Sequence, residues 1–170
     1  EAHDLVIATH GRSFYVLDDI DALRQLTAEV TIASSHLFQP RDAVRRADVA
    51  VFDYHLRQPA ASIAIEVVDA AGVVARRLAG SSAPNKAGVN RVAWGLRYPG
   101  AVLFEGMIVR SAQPEKGPLA APGTYQVRLT VDGQVQARSF AVTWNPRLTS
   151  VTPGDLQAQF DLAMKIRNRT

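Results

Sequence analysis

Cysteine is absent from the sequence. Its absence excludes a disulfide framework, thiolate catalysis and Cys-type zinc sites. No apolar run approaches the roughly 20 residues that span a bilayer, so no membrane span is expected. No charged-then-apolar leader precedes the first strand-like run, which leaves two readings: a cytoplasmic protein, or a chain whose natural N-terminus lies upstream. Basic residues never run longer than two. Although the net charge is +3 and the pI near 9.6, Arg45-Arg46 and Arg76-Arg77 are isolated doublets without interleaved aromatics, so no nucleic acid partner is expected.

Catalytic signatures are missing too. His3, His10, His36 and His55 form no HExxH or similar ligand spacing, and each falls in a run read as strand. "HGRSF" is not a nucleophile elbow, and "GVNRVAWG" lacks the phosphate-loop pattern. Asp18, Asp19 and Asp21 are the densest acidic cluster. A glycosidase needs two carboxylates about 5 to 9.5 Å apart, whereas adjacent strand residues such as Asp18 and Asp19 point to opposite faces. Strand-end or turn positions explain them better, and the oxygen-rich spacing of a calcium loop is absent. No catalytic residue, metal ligand or cofactor is assigned.

What the chain does have is strands. Hydrophobic side chains make up 47% of the 170 residues, enough for one good-sized core. "HDLVIATHGRSFYVLDDI" reads as two strands joined at Gly11-Arg12, apolar on both faces. A hairpin cannot bury two faces by itself and requires a neighbouring sheet. "IDALRQL" suits one helical turn, and Val30 to Pro40 a third strand. From about Asp48, short strands recur at sandwich spacing: "DVAVFDYHL", "SIAIEVVD", "VVARRL" and "VNRVAWGL". The stretch from Tyr98 to Pro122 reads as a long loop with one short strand near Met107 to Val109.

"GTYQVRLTVDGQVQARSFAVTW" is the clearest hairpin, with Tyr125, Val127, Leu129 and Val131 on one face. Avoiding polar-apolar pairs favours a three-residue loop that sets Val131 opposite Val135 and Leu129 opposite Ala137. A bulge near Arg138 or Ser139 then restores inward parity for Phe140, Val142 and Trp144. "TPGDLQAQFDLAMKIRNRT" predicts a helix with Thr152 as N-cap, Pro153 in the first turn, Asp155 meeting the helix dipole, and an apolar stripe of Leu156, Phe160, Ala163 and Met164.

"DLVIATHGRSFYVLDDI" and "LFQPRDAVR" together resemble the closing blade of bacterial sortilin-like propeller proteins built from neuraminidase-type repeats, often labelled glycosyl hydrolases. "IAIEVVDAAGVVARRL", "AGVNRVAWGLRYPGA", "GPLAAPGTYQVRLTVDGQ" and "NPRLTSVTPGDLQAQFDLAMKIRNR" resemble the region downstream of the propeller in that family: an Ig-like sandwich of the flagellar-hook-capping type, then a helix. The likeness covers nearly the whole chain. In one departure, "RDAVRR" runs straight into "ADVAVFDYHL" where that family carries an Asn/Pro/Gly loop; the loop is short here, or residues are missing between Arg46 and Ala47.

The resemblance implies a mainly β chain: closing blade strands over residues 1–46, an Ig-like β-sandwich over 47–147 and a C-terminal helix over 148–170. It further implies an upstream propeller in the same protein as partner and an extracytoplasmic, secreted or periplasmic, location. Three functions stand side by side. The first is a non-catalytic module that closes the propeller and docks the sandwich on it. The second is one wall of a glycoside hydrolase whose catalytic residues lie mostly upstream, and the third is capture of a glycan or protein ligand.

Candidate ligand-binding residues are His10 and Arg12 at the first turn, suited to an anionic group, and Tyr98 before Pro99-Gly100. Trp94, Tyr98, Tyr125 and Trp144 are weighed together as a carbohydrate-stacking platform; Trp94, Tyr125 and Trp144 read as core instead, Tyr125 in a tyrosine-corner position after "PGT", and Tyr98 stays open.

Overall fold

The computed structural model describes residues 3–45, 49–103, 105–106 and 113–169. In chain order the elements are strands β1 (Leu5–Ala8) and β2 (Phe14–Leu17), helices α1 (Asp21–Gln25) and α2 (Ala28–Ile32), strands β3 (Ser35–Leu37), β4 (Ala43–Val44), β5 (Ala50–Leu56), β6 (Ile63–Asp69), β7 (Val74–Ala79), β8 (Gly88–Trp94), β9 (Arg97–Pro99), β10 (Lys116–Leu119), β11 (Gly123–Val131) and β12 (Gln134–Thr143), and helix α3 (Pro153–Arg167). The chain is mainly β with a C-terminal helix. A five-stranded sheet of order β4-β12-β11-β6-β7 faces a three-stranded sheet of order β3-β5-β8.

Alternation creates the core. Tyr125, Val127, Leu129 and Val131 of β11 point inward, as do Phe52, Tyr54 and Leu56 of β5, and all are buried. Period-2 side chains on two facing sheets leave one dry layer between them. Phe140 sits at its centre, edge-on to Phe52 at 5.3 Å and beside Tyr125 at 6.1 Å, with Trp94 at 6.4 Å. The Tyr125 hydroxyl donates to the Ala121 carbonyl at 2.9 Å, the tyrosine-corner bond. The Tyr54 hydroxyl donates to the Pro84 carbonyl, and burial pushes its pKa up to about 12.

The β11–β12 turn differs from the three-residue loop expected. Val131 pairs with Gln134, Leu129 with Gln136 and Val127 with Arg138, in unbroken register to Gly123 and Val142. Asp132 and Gly133 both have positive φ, 47° and 85°, the two-residue geometry that matches strand twist. No parity slip arises, so no bulge forms near Arg138 or Ser139. The polar residue opposite Leu129 is accommodated because Gln136 reaches the β3 edge: its Oε1 accepts from the Leu37 N–H at 2.9 Å and its Nε2 donates to the Ser35 carbonyl at 3.1 Å.

Other boundaries also move. The run from Val30 to Pro40 is not one strand: Thr27 caps α2 through the Val30 N–H, and only Ser35–Leu37 is extended. β3 pairs with β5 and β4 runs parallel to β12, so the sandwich begins well before residue 47. The stretch from Tyr98 to Pro122 contains paired strands, β9 and β10. The strand expected near Met107 to Val109 and the junction of Arg46 and Ala47 lie outside the described residues.

Hairpin β1–β2 is a two-stranded sheet by itself. Far from being buried on both faces, every residue of both strands is exposed, Phe14 by 74% and Val6 by 58%. A second small cluster of Ala22, Val30 and Phe38 with Leu26 is drawn from α1, α2 and the residues that follow α1 and β3.

Helix α3 follows its sequence signals. Thr152 and Asp155 form a reciprocal capping box, and the Thr152 hydroxyl and N–H hold the exposed Asp155 carboxyl below its usual pKa. Phe160 packs on Tyr98 with ring centroids 4.9 Å apart, which seats the helix against β9.

Candidate functional site

His10 and Arg12 sit at the exposed turn of β1–β2, closed by the Thr9 N–H and hydroxyl, both donating to the Ser13 carbonyl. Neither side chain has a polar partner among the described residues. Tyr98 belongs to a different part of the molecule. It is a strand residue, 3% exposed, and its hydroxyl donates to Asp69 Oδ2 at 2.8 Å. Burial, with Tyr125 and Asp69 beside it, raises the Tyr98 pKa. No ring face is left open, so the structure brings His10 and Arg12 together and leaves Tyr98 in the core.

His3 and His10 lie off the strands, while His36 and His55 oppose each other across β3 and β5.

The acidic cluster has a different role from the one sequence order suggests. Asp19 has a positive φ of 56°, which breaks the strand-like alternation with Asp18 and turns its carboxylate back toward the sandwich. Arg41 lies 3.5 Å from Asp19 and 3.1 Å from Asp21, and Asp21 also meets His3 at 2.8 Å. Arg91 of β8 forks onto Asp53 of β5, Nε to Oδ1 at 2.7 Å and Nη2 to Oδ2 at 2.8 Å. It also donates to the Asp19 carbonyl at 3.1 Å. The hydrogen bond to Asp53 is the main cause of the raised Arg91 pKa.

Asp19, Asp21, Arg41 and Asp53 line a cleft of about 450 Å³ together with Phe38 and Val51. Its carboxylates at positions 19, 21 and 53 all contact cations. The arrangement ties the segment below the hairpin to the three-stranded sheet, and no group of three or more acidic or histidine ligands suited to a metal occurs among the described residues.

No family model and no curated protein matches the chain. Among solved structures it is similar to the BSP domain of a biofilm associated protein, at 16% identity and a TM-score of 0.37, over 64% of this chain and 15% of that one. It is also similar to CopC from Methylosinus trichosporium OB3b, at 14% identity and a TM-score of 0.38, over 65% of this chain and 95% of that one. Likeness at this level carries no argument about activity.

Two features escape a reading of the sequence. The Asp53–Arg91 pair depends on the β5–β8 register, which periodicity does not fix. Trp144, expected inward, is 41% exposed, because β12 ends at Thr143 and the alternation that pointed it inward ends there. The other aromatics weighed with it, Trp94, Tyr98 and Tyr125, are buried. No helix among the described residues is long and apolar enough to cross a membrane.

Proposed function

We propose that the chain is a non-catalytic module of a larger, extracytoplasmic sortilin-like propeller protein, in which β1–β2 supplies closing strands of a blade and an Ig-like sandwich docks beside it. One observation carries this reading. Leu5, Val6, Ile7, Phe14, Tyr15, Val16 and Leu17 are all 45% exposed or more on a hairpin that no third strand joins among the described residues. Two apolar faces and two open edges are what a propeller blade covers and pairs, and a two-stranded hairpin in water is marginal without such cover. The ionic tether through Asp19, Arg41 and Arg91 gives the hairpin a fixed base on the sandwich.

The glycosidase-wall reading has less behind it, since Asp19, Asp21 and Asp53 of the cleft already hold cations and Asp42 accepts the Ala141 N–H. Hydrogen exchange tests the proposal. In the full-length polypeptide, amides of Leu5–Ala8 and Phe14–Leu17 should exchange far more slowly than in this chain alone. Equal exchange in both would overturn it, as would hydrolysis of a glycan analogue by this chain.

A further inference from the structure

We infer that a pocket between the end of β12 and helix α3 binds a neutral saccharide ring stacked on Trp144. The pocket measures about 240 Å³ and is lined by Trp144, Asn145, Leu148, Asp155 and Gln159 over the buried Arg45. Its size falls below the about 300 to 1,000 Å³ of sites for drug-sized ligands, which suits a single ring. Trp144 is 41% exposed while Trp94 is 2% exposed, so one of the two indoles lines this pocket with part of its ring open to solvent. A sugar's axial hydrogens pack on an indole face, as apolar contacts do on aromatics in general.

The polar rim is fixed in orientation. Gln159 Oε1 accepts from Arg45 Nη2 at 2.8 Å, and Asn145 Oδ1 accepts from the Arg147 N–H at 3.0 Å. Each amide oxygen is held by a donor, so each NH₂ group is directed away from that bond. Neither NH₂, nor the Trp144 indole N–H, has a partner among the described residues. Asp155 Oδ2 takes the Thr152 N–H and hydroxyl, which leaves Oδ1 as an acceptor on the same rim. Three donors and one acceptor around an indole match the mixed hydroxyls of a sugar. Asp155 and Arg45 bring one charge of each sign to the lining, so the site carries no net charge that would select an acidic or basic ligand over an uncharged one. Nothing in this site involves the hairpin, so it stands or falls separately from the propeller reading.

The two tryptophans supply an internal control, because the Trp94 indole N–H is bonded to the Arg97 carbonyl at 2.8 Å. Titration of the ¹⁵N-labelled chain with N-acetylglucosamine, cellobiose and maltose, followed by the two indole N–H resonances, should give a saturable shift of Trp144 with at least one sugar and none of Trp94. Millimolar affinity is expected for a single ring. Gln159→Ala, on the exposed side of α3, should weaken binding several-fold without unfolding the chain, and Trp144→Ala, followed by the backbone amide resonances of Asn145 and Gln159, should abolish it. Absence of a saturable shift with all three sugars would overturn the inference. So would an equal shift with glycerol, or binding unchanged in Gln159→Ala and Trp144→Ala.

Discussion

Replacing Arg91 with alanine probes the tether beneath the hairpin. The Asp53 carboxylate is 8% exposed and loses both prongs of its fork, while the Arg91 side chain is itself 45% exposed. Stripping one partner from a fully buried pair costs about 3 to 5 kcal/mol; exposed pairs contribute about 0 to 1 kcal/mol. With one end buried and the other half in water, the expected loss is about 2 kcal/mol. For a chain of this size that lowers Tm by about 4 to 8 °C. Thermal and urea unfolding of Arg91→Ala, Asp53→Leu and the double variant would measure it. The double variant should lose less than the sum of the singles by about 1 kcal/mol or more, since it leaves no orphaned charge. Hydrogen exchange in residues 19–25 should quicken in Arg91→Ala, because the bond to the Asp19 carbonyl goes as well. A loss under about 0.5 kcal/mol, or simple additivity in the double variant, would refute the reasoning.

A pH effect follows from the histidine pair. His36 faces His55 of β5 and Arg138 of β12, and burial first, then the Arg138 charge and the neighbouring His55, hold its pKa below 6.5; the buried His55 Nδ1 has no partner among the described residues. The unfolded chain therefore takes up the proton first, so stability is full above about pH 6.5 and declines as pH falls until folded His36 also protonates. Urea midpoints should show this decline, and His36→Gln should flatten it; identical pH profiles would contradict the argument. At Gly117 an added Cβ would run into the carbonyls of Tyr98 and Pro99, so Gly117→Ala should cost about 1 to 3 kcal/mol in chemical unfolding. An unchanged midpoint would show that β9 and β10 can part without penalty.

Much of the sandwich was legible because burial repeats every second residue in β8 and β11, and a buried face leaves a periodic trace. The capping box of α3 was legible because its signals are local. The β11–β12 register was misread for a physical reason: Gln136 faces inward to serve the β3 edge, a partner 99 or more residues away. Pairing apolar with apolar penalised the true register. Asp19 escaped notice because one residue of positive φ reverses which way its carboxylate points. Tyr98 resembled a loop residue beside Pro99-Gly100, yet β10 and α3 close over it. The Trp144 pocket was invisible because it joins a strand end to a helix turn, and no short motif spans that gap.

The long reach from β12 back to residues 35–44 has a consequence for biosynthesis. Leu37, Gln39 and Asp42 take their bonds from Gln136, Ser139 and Ala141, partners 99 to 100 positions later in the chain. At a translation rate of about 5 to 20 residues per second, β3 and β4 leave the ribosome roughly 5 to 20 seconds before the strand that secures them. During that interval nascent chains expose the inner face of the three-stranded sheet. Stalling or truncation ahead of Gln134 would therefore release a sticky half-product, a substrate for chaperones or proteases.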